Sequence, residues 1–116
     1  MRRFLALGLL LALGFPALAG AIEKGATMQV KPNSIWFDEA AHLARWQELK
    51  KSGDAAGLAA YQDQVLGQRD AWQFMSPLKV KVIGLDAKTG QVHVKMLTPG
   101  RFAGLDMFLD RDALTP

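Results

Sequence analysis

The spacing of apolar residues changes at Pro77, and that change divides the chain into a helical part and a sheet part. Upstream, Leu43, Trp46 and Leu49 recur at three-residue spacing with Ala40 and Ala44 beside them, giving one broad apolar helix face. Leu58, Val65 and Trp72 stand seven apart, Tyr61 falls on the same side, and Leu66 widens the flank. Downstream, Leu78, Val80 and Val82 alternate with Lys79 and Lys81; Val92, Val94 and Met96 alternate with His93 and Lys95. Side chains repeat every 3.6 residues on a helix and every two on a strand, so one element type cannot serve both halves.

The punctuation between these runs sets the expected boundaries. Ser34 or Asp38 can cap a first helix, and Glu39 suits its positive end. Lys50 and Lys51 suit the other end, and Ser52-Gly53 stops it, with Gly53 able to turn left-handed. Asp54 caps a second helix, predicted to run to about Phe74 because Pro77 disfavours helical geometry at Ser76. So short a turn makes the two antiparallel, and residues 38–74 are predicted to form a helical hairpin.

An early strand is expected over residues 27–31, ended by Pro32-Asn33-Ser34. Asp86-Ala87-Lys88-Thr89-Gly90 is a hairpin turn, with Gly90 supplying the positive φ. Closing it tightly sets Leu85 against Val92 and Lys81 against Met96, although Val80 and Val82 also require a buried face. A β-bulge near Gly84 resolves the conflict and is predicted there. Pro99-Gly100 turns into a strand carrying Leu105, Met107 and Leu109. Asp110 to Leu114 then reads as a terminal turn with Leu114 tucked back. The expected fold is α+β: an antiparallel helical hairpin packed on a small, twisted, largely antiparallel sheet or barrel of four or five short strands.

A strand, a long insertion, and then a meander through Gly104 to Leu109 and Asp110 to Leu114 resembles the Src-homology-3-like barrels of bacterial envelope proteins. The resemblance covers residues 27–31 and 78–115. It implies ligand or peptide binding at the cell wall and carries over no binding residue.

Residues 1–21 are expected to be a cleavable signal peptide, leaving residues 22–116 as one α+β domain. Arg2 and Arg3 precede an apolar run from Phe4 to Phe15, and Ala17-Leu18-Ala19 or Ala19-Gly20-Ala21 offers the cleavage site. The uncharged stretch reaches only the lower edge of a bilayer span, and Gly8, Gly14 and Pro16 interrupt it. No membrane span is expected after cleavage. The expected destination is the periplasm or the exterior by the general secretory route. With no cysteine in the chain, neither a lipoprotein anchor nor a disulfide is possible. Removing Arg2 and Arg3 from 14 basic residues leaves 12 against 11 acidic ones, or +1, which carries no footprint for nucleic acid.

No residue pattern names a reaction. His42 and His93 are the only histidines, too few for a zinc site without cysteine, so no metal and no cofactor are expected. Asp106, Asp110 and Asp112 lack the glycine and distal glutamate of a calcium loop, and Asp110 reads as a cap. Ser34, Ser52 and Ser76 lie in turns or caps, with no nucleophile motif around them. A carboxylate pair for hydrolysis, drawn from Asp38, Glu39, Asp106 or Asp110, depends wholly on folding.

Two binding surfaces remain. Lys79, Lys81, His93 and Lys95 form a modest basic patch suited to an anionic cell-wall polymer or an acidic partner. Trp36, Phe37, Trp46, Tyr61, Trp72 and Phe74 are dense for so small a chain; most are expected to pack the hairpin against the sheet, and any left exposed would mark a groove for a peptide or glycan. The expected function is non-enzymatic binding of an envelope protein or cell-wall component. The expected site lies between hairpin and sheet, near Trp36, Trp72, Phe74 and Arg101. The alternatives are a small carboxylate-dependent hydrolase or a subunit of a larger envelope assembly.

Overall fold

The computed structural model describes residues 22–116; the signal peptide expected over residues 1–21 lies outside them. Seven strands alternate with two helices in the order β1 (Thr27–Val30), β2 (Ile35–Phe37), α1 (Ala40–Ser52), α2 (Ala55–Gly67), β3 (Ala71–Gln73), β4 (Leu78–Asp86), β5 (Gln91–Met96), β6 (Asp106–Asp110) and β7 (Leu114–Thr115). A single 3₁₀ turn, Arg111–Ala113, joins the last two strands. All strands lie in one antiparallel sheet of order β3-β2-β6-β5-β4-β1-β7. The fold is α+β as expected, but the sheet has seven strands and is not closed. The expected four or five omitted β2 and β3. Among the described residues no helix is long and apolar enough to cross a membrane.

Alternation along the strands builds two apolar clusters. The larger contains Val80, Val82, Val92, Val94, Met96, Met107 and Leu109, joined by Met28, Val30, Trp36 and Leu114. We call its side of the sheet the inner face. Each side chain fully buried there contributes about 1.5–3 kcal/mol. The helices cover part of the outer face, where Ile35, Phe37, Leu43, Val65 and Ala71 form the smaller cluster.

The bulge falls where the register conflict requires it. Leu85 faces Val92 and Val82 faces Val94, and the shift lies between Val82 and Gly84, with Ile83 as the extra residue. Lys81 consequently stands opposite Lys95, and Val80 opposite Met96. The turn closes as the sequence indicates: Asp86 accepts from the Lys88 and Thr89 amides, and Gly90 sits at φ 74°.

The helical hairpin is shorter than the 38–74 expected. Its second helix stops at Gly67, and the chain returns as strand β3, so Trp72 and Phe74 are not helical. The stop is a Schellman motif: Arg69 is left-handed at φ 62°, its amide donates to the Leu66 carbonyl, and the Asp70 amide donates to the Val65 carbonyl. Ending there lets β3 pair with β2, setting Trp72 across from Trp36 and Ala71 across from Phe37. The seven-residue step from Val65 to Trp72 joins a helix to a strand.

The first helix also begins differently. Glu39 is its N-cap and makes no side-chain capping bond. Neither Ser34 nor Asp38 caps it; the Asp38 carboxylate instead accepts from His42 Nδ1 at 2.6 Å. Asp54 caps α2 through the Gly57 amide at 2.8 Å, and Gly53 ends α1 at φ 78°.

Candidate functional sites

Glutamines join the hairpin to the sheet. The Gln47 amide donates to Asp110 Oδ1 at 2.8 Å and to the Thr89 carbonyl at 3.0 Å, and Gln91 donates to the Ala40 carbonyl at 3.2 Å. Beside this seam opens a polar cleft of about 310 Å³. Trp46, Lys50 and Gln62 line it from the helices, Asn33 and Gln73 from the β2–β3 side, Asp110 from the end of β6 and Asp112 from the 3₁₀ turn. The Trp46 indole N–H donates to Gln62 at 2.8 Å, and the Lys50 ammonium stands 4.8 Å from its ring centre. Within this cleft Asp110 also caps the terminal turn through the Asp112 amide, as its sequence position suggests. Of the aromatic residues considered from sequence only Trp46 lines this cleft, and none of Trp36, Trp72, Phe74, Lys79, Lys81, Lys95 and Arg101 does. Isolated glutamines spread over four elements carry no recognisable spacing, so no sequence signal marked it.

The expected aromatic site lies elsewhere. Ile35 and Phe37 face the helices, so alternation turns Trp36 to the inner face, where it is only 1 % exposed and cannot line a surface. Trp72 follows it across the ladder. Trp36, Phe74, Phe102 and Trp72 then form an edge-to-face chain, with centroids 5.4 Å apart at Trp36–Phe74, 5.4 Å at Phe74–Phe102 and 6.0 Å at Trp72–Phe102. These rings flank the inner core, on the side of the β2–β3 ribbon away from the helices, which corrects their expected position between hairpin and sheet.

At the outer end of this chain lies an apolar groove of about 250 Å³, lined by Phe74, Leu78, Met96, Thr98, Pro99, Gly100, Arg101 and Phe102. The Arg101 guanidinium stands 5.5 Å from the Phe102 ring centre and is the only charged group in the lining. Met75, Leu97 and Leu105, in the segments leading into and out of it, are the exposed large apolar side chains of the described residues; Met75 is 84 % exposed.

The basic residues occupy the outer face. Lys79, Lys81 and Lys95 are exposed there. His93 belongs to a different environment: its ring stacks on Phe108 at 4.6 Å, and Nε2 lies 3.5 Å from Asp106.

The carboxylates named for hydrolysis are dispersed. Asp38 and Glu39 precede α1, whereas Asp106 and Asp110 stand at opposite ends of β6. Among the described residues no polar or charged side chain is fully buried. Asp38, Glu39 and His42 offer ligand atoms within 4.8 Å of one another, the one such grouping among the described residues. Two of these atoms are already bonded to each other, and that bond, opposed by partial burial and aided by the charges of Asp38, Asp70 and Glu39, raises the His42 pKa above its ordinary value. Burial similarly raises Tyr61, whose hydroxyl donates to the His42 carbonyl at 3.2 Å.

No protein-family model, curated protein or solved structure matches the chain.

Proposed function

We propose that this chain is a non-catalytic binding module of the bacterial envelope, delivered by the leader over residues 1–21 to the periplasm or beyond, and that it binds a protein or cell-wall component. The groove at Phe102 carries this reading. It joins aromatic and aliphatic surface to a single cationic group with no carboxylate in its lining, which suits capture of an apolar segment bearing a negative charge better than acid–base chemistry. The exposed Met75, Leu97 and Leu105 extend apolar surface around it. The Src-homology-3-like resemblance is kept as part of the proposal. Its support is the run β7-β1-β4-β5-β6 within the sheet, with a 3₁₀ turn before a last strand that pairs antiparallel with the first.

Photo-crosslinking from Met75 and Leu105 in the intact envelope tests the reading. One recurrent partner is expected from both positions, with capture reduced at least tenfold by Phe102→Ser combined with Arg101→Gln. A partner captured equally well by that variant, or no partner from either position, would overturn it. N-terminal sequencing of the exported protein checks the leader: a start at Gly20 or Ile22 is expected, and a start at Met1 or Arg2 rejects cleavage.

A further inference from the structure

The outer face of β4 and β5 carries an arrangement that is unfavourable for folding alone. Lys81 and Lys95 are direct partners across the ladder, which brings their Cβ atoms to about 4.5–5.5 Å, and like charges so placed destabilise a sheet. Lys79 follows on the same face, about 7 Å along the strand. A third ammonium joins the pair. The Lys24-Gly25 turn is bonded to β4, with the Gly25 amide on the Val82 carbonyl at 2.7 Å and the Val82 amide on the Ala26 carbonyl at 2.8 Å.

Lys24, Gly25, Lys81, Val82, Ile83 and Lys95 together line a hollow of about 400 Å³. The bulge supplies its apolar wall, because Ile83 is the residue left out of register. The carboxylate paired in register with Lys95 is Asp106, which lies against His93 instead. Among the described residues none of the three ammoniums belongs to an ion pair.

We propose that this hollow is a phosphate-binding site, in which Lys24, Lys81 and Lys95 hold the anionic oxygens and Ile83 meets the organic body that carries them. Several ammoniums on flexible stems act as point charges for phosphate without demanding planar, bidentate geometry. An apolar wall beside them favours an organic phosphate over the inorganic ion. A phospholipid headgroup and a soluble glycerol phosphate share this chemistry. The site lies on the other face of the sheet from the Phe102 groove and does not depend on it.

Glycerol 3-phosphate, inorganic phosphate, and vesicles of phosphatidylcholine with or without phosphatidylglycerol are the probes. Amide shifts and sedimentation with vesicles are the readouts. Glycerol phosphate binding with shifts centred on Lys24, Lys81 and Lys95 supports the site and a soluble source. Binding only to the phosphatidylglycerol vesicles supports it with a membrane source. In either case Lys81→Gln with Lys95→Gln is expected to weaken binding about 25-fold, at roughly a factor of five per lysine, and added salt to weaken it further. The same double variant is expected to melt no lower than the parent, since it removes a repulsion. The charge-matched pair Lys31→Gln with Lys88→Gln is expected to bind as the parent does. Binding to none of the probes, binding unchanged in Lys81→Gln/Lys95→Gln, or an equal loss in the charge-matched pair would overturn the proposal.

Discussion

On its inner face the sheet buries a cluster of eleven side chains, and on its outer face, beneath the helices, a cluster of five. Strands supply all of the inner cluster, and their neighbours are set by pairings along six contiguous strands, β2-β6-β5-β4-β1-β7. The outer cluster draws on β2, β3 and both helices, and polar glutamine bonds hold it to the rest. The inner face stabilises the whole sheet, whereas the outer cluster fixes one attachment to it. Candidate binding surfaces follow the same division: the aromatic groove adjoins the inner core, whereas the lysine hollow and the polar cleft lie outside it.

Two truncations at equal burial should expose the difference. Leu109 and Leu43 are both 0 % exposed. Leu109→Ala, in the middle of the inner core, is expected to lower the global unfolding free energy by about 3–5 kcal/mol, measured by urea titration. Leu43→Ala is expected to cost about 2–3 kcal/mol and to act locally, with amide exchange accelerating in α1 and α2 before β4 and β5. Equal acceleration in sheet and helices would remove the distinction.

A smaller change tests the hairpin by itself. Asp54→Ala removes the one side-chain cap that either helix possesses and is expected to cost about 1 kcal/mol. If that loss leaves exchange in β5 unchanged, the attachment opens independently of the sheet.

The smallest expected effect is pH-dependent and confined to the start of α1. The folded pKa of His42 is raised, so its bond to Asp38 contributes fully below the unfolded value of about 6.5 and fades as pH rises through the folded pKa. With both side chains about a third exposed, the loss should not exceed about 1 kcal/mol. His42→Gln should flatten that part of the stability profile. A parent profile that rises across the same window would contradict the pairing.

Much of the inner face was legible in the sequence. The alternation in β4 and β5, the Asp86–Gly90 turn and the bulge at Ile83 all follow from local spacing together with the need to bury Val80, Val82, Leu85 and Val94 on one side. The second helix was overrun because Arg69, not a glycine, takes the left-handed position that ends it. β2 and β3 went unread because three residues each carry too little alternation, and each strand is specified chiefly by the other. Strand pairing, which the helical spacing of Trp72 does not reveal, chose the face of Trp36 and Trp72.

The sequence by itself determined the alternation of β4 and β5 after Pro77, the punctuation at Gly53, Asp54 and Gly90, and the absence of any disulfide. These depend on each residue's own backbone preferences and near neighbours. Tertiary structure alone decided which of two aromatic faces would be exposed, that the Gln47 amide would reach Asp110, and that Lys24 would join Lys81 and Lys95. Such juxtapositions depend on strand order and on where a helix stops. A single residue's shift in either carries a side chain to the opposite face of the sheet.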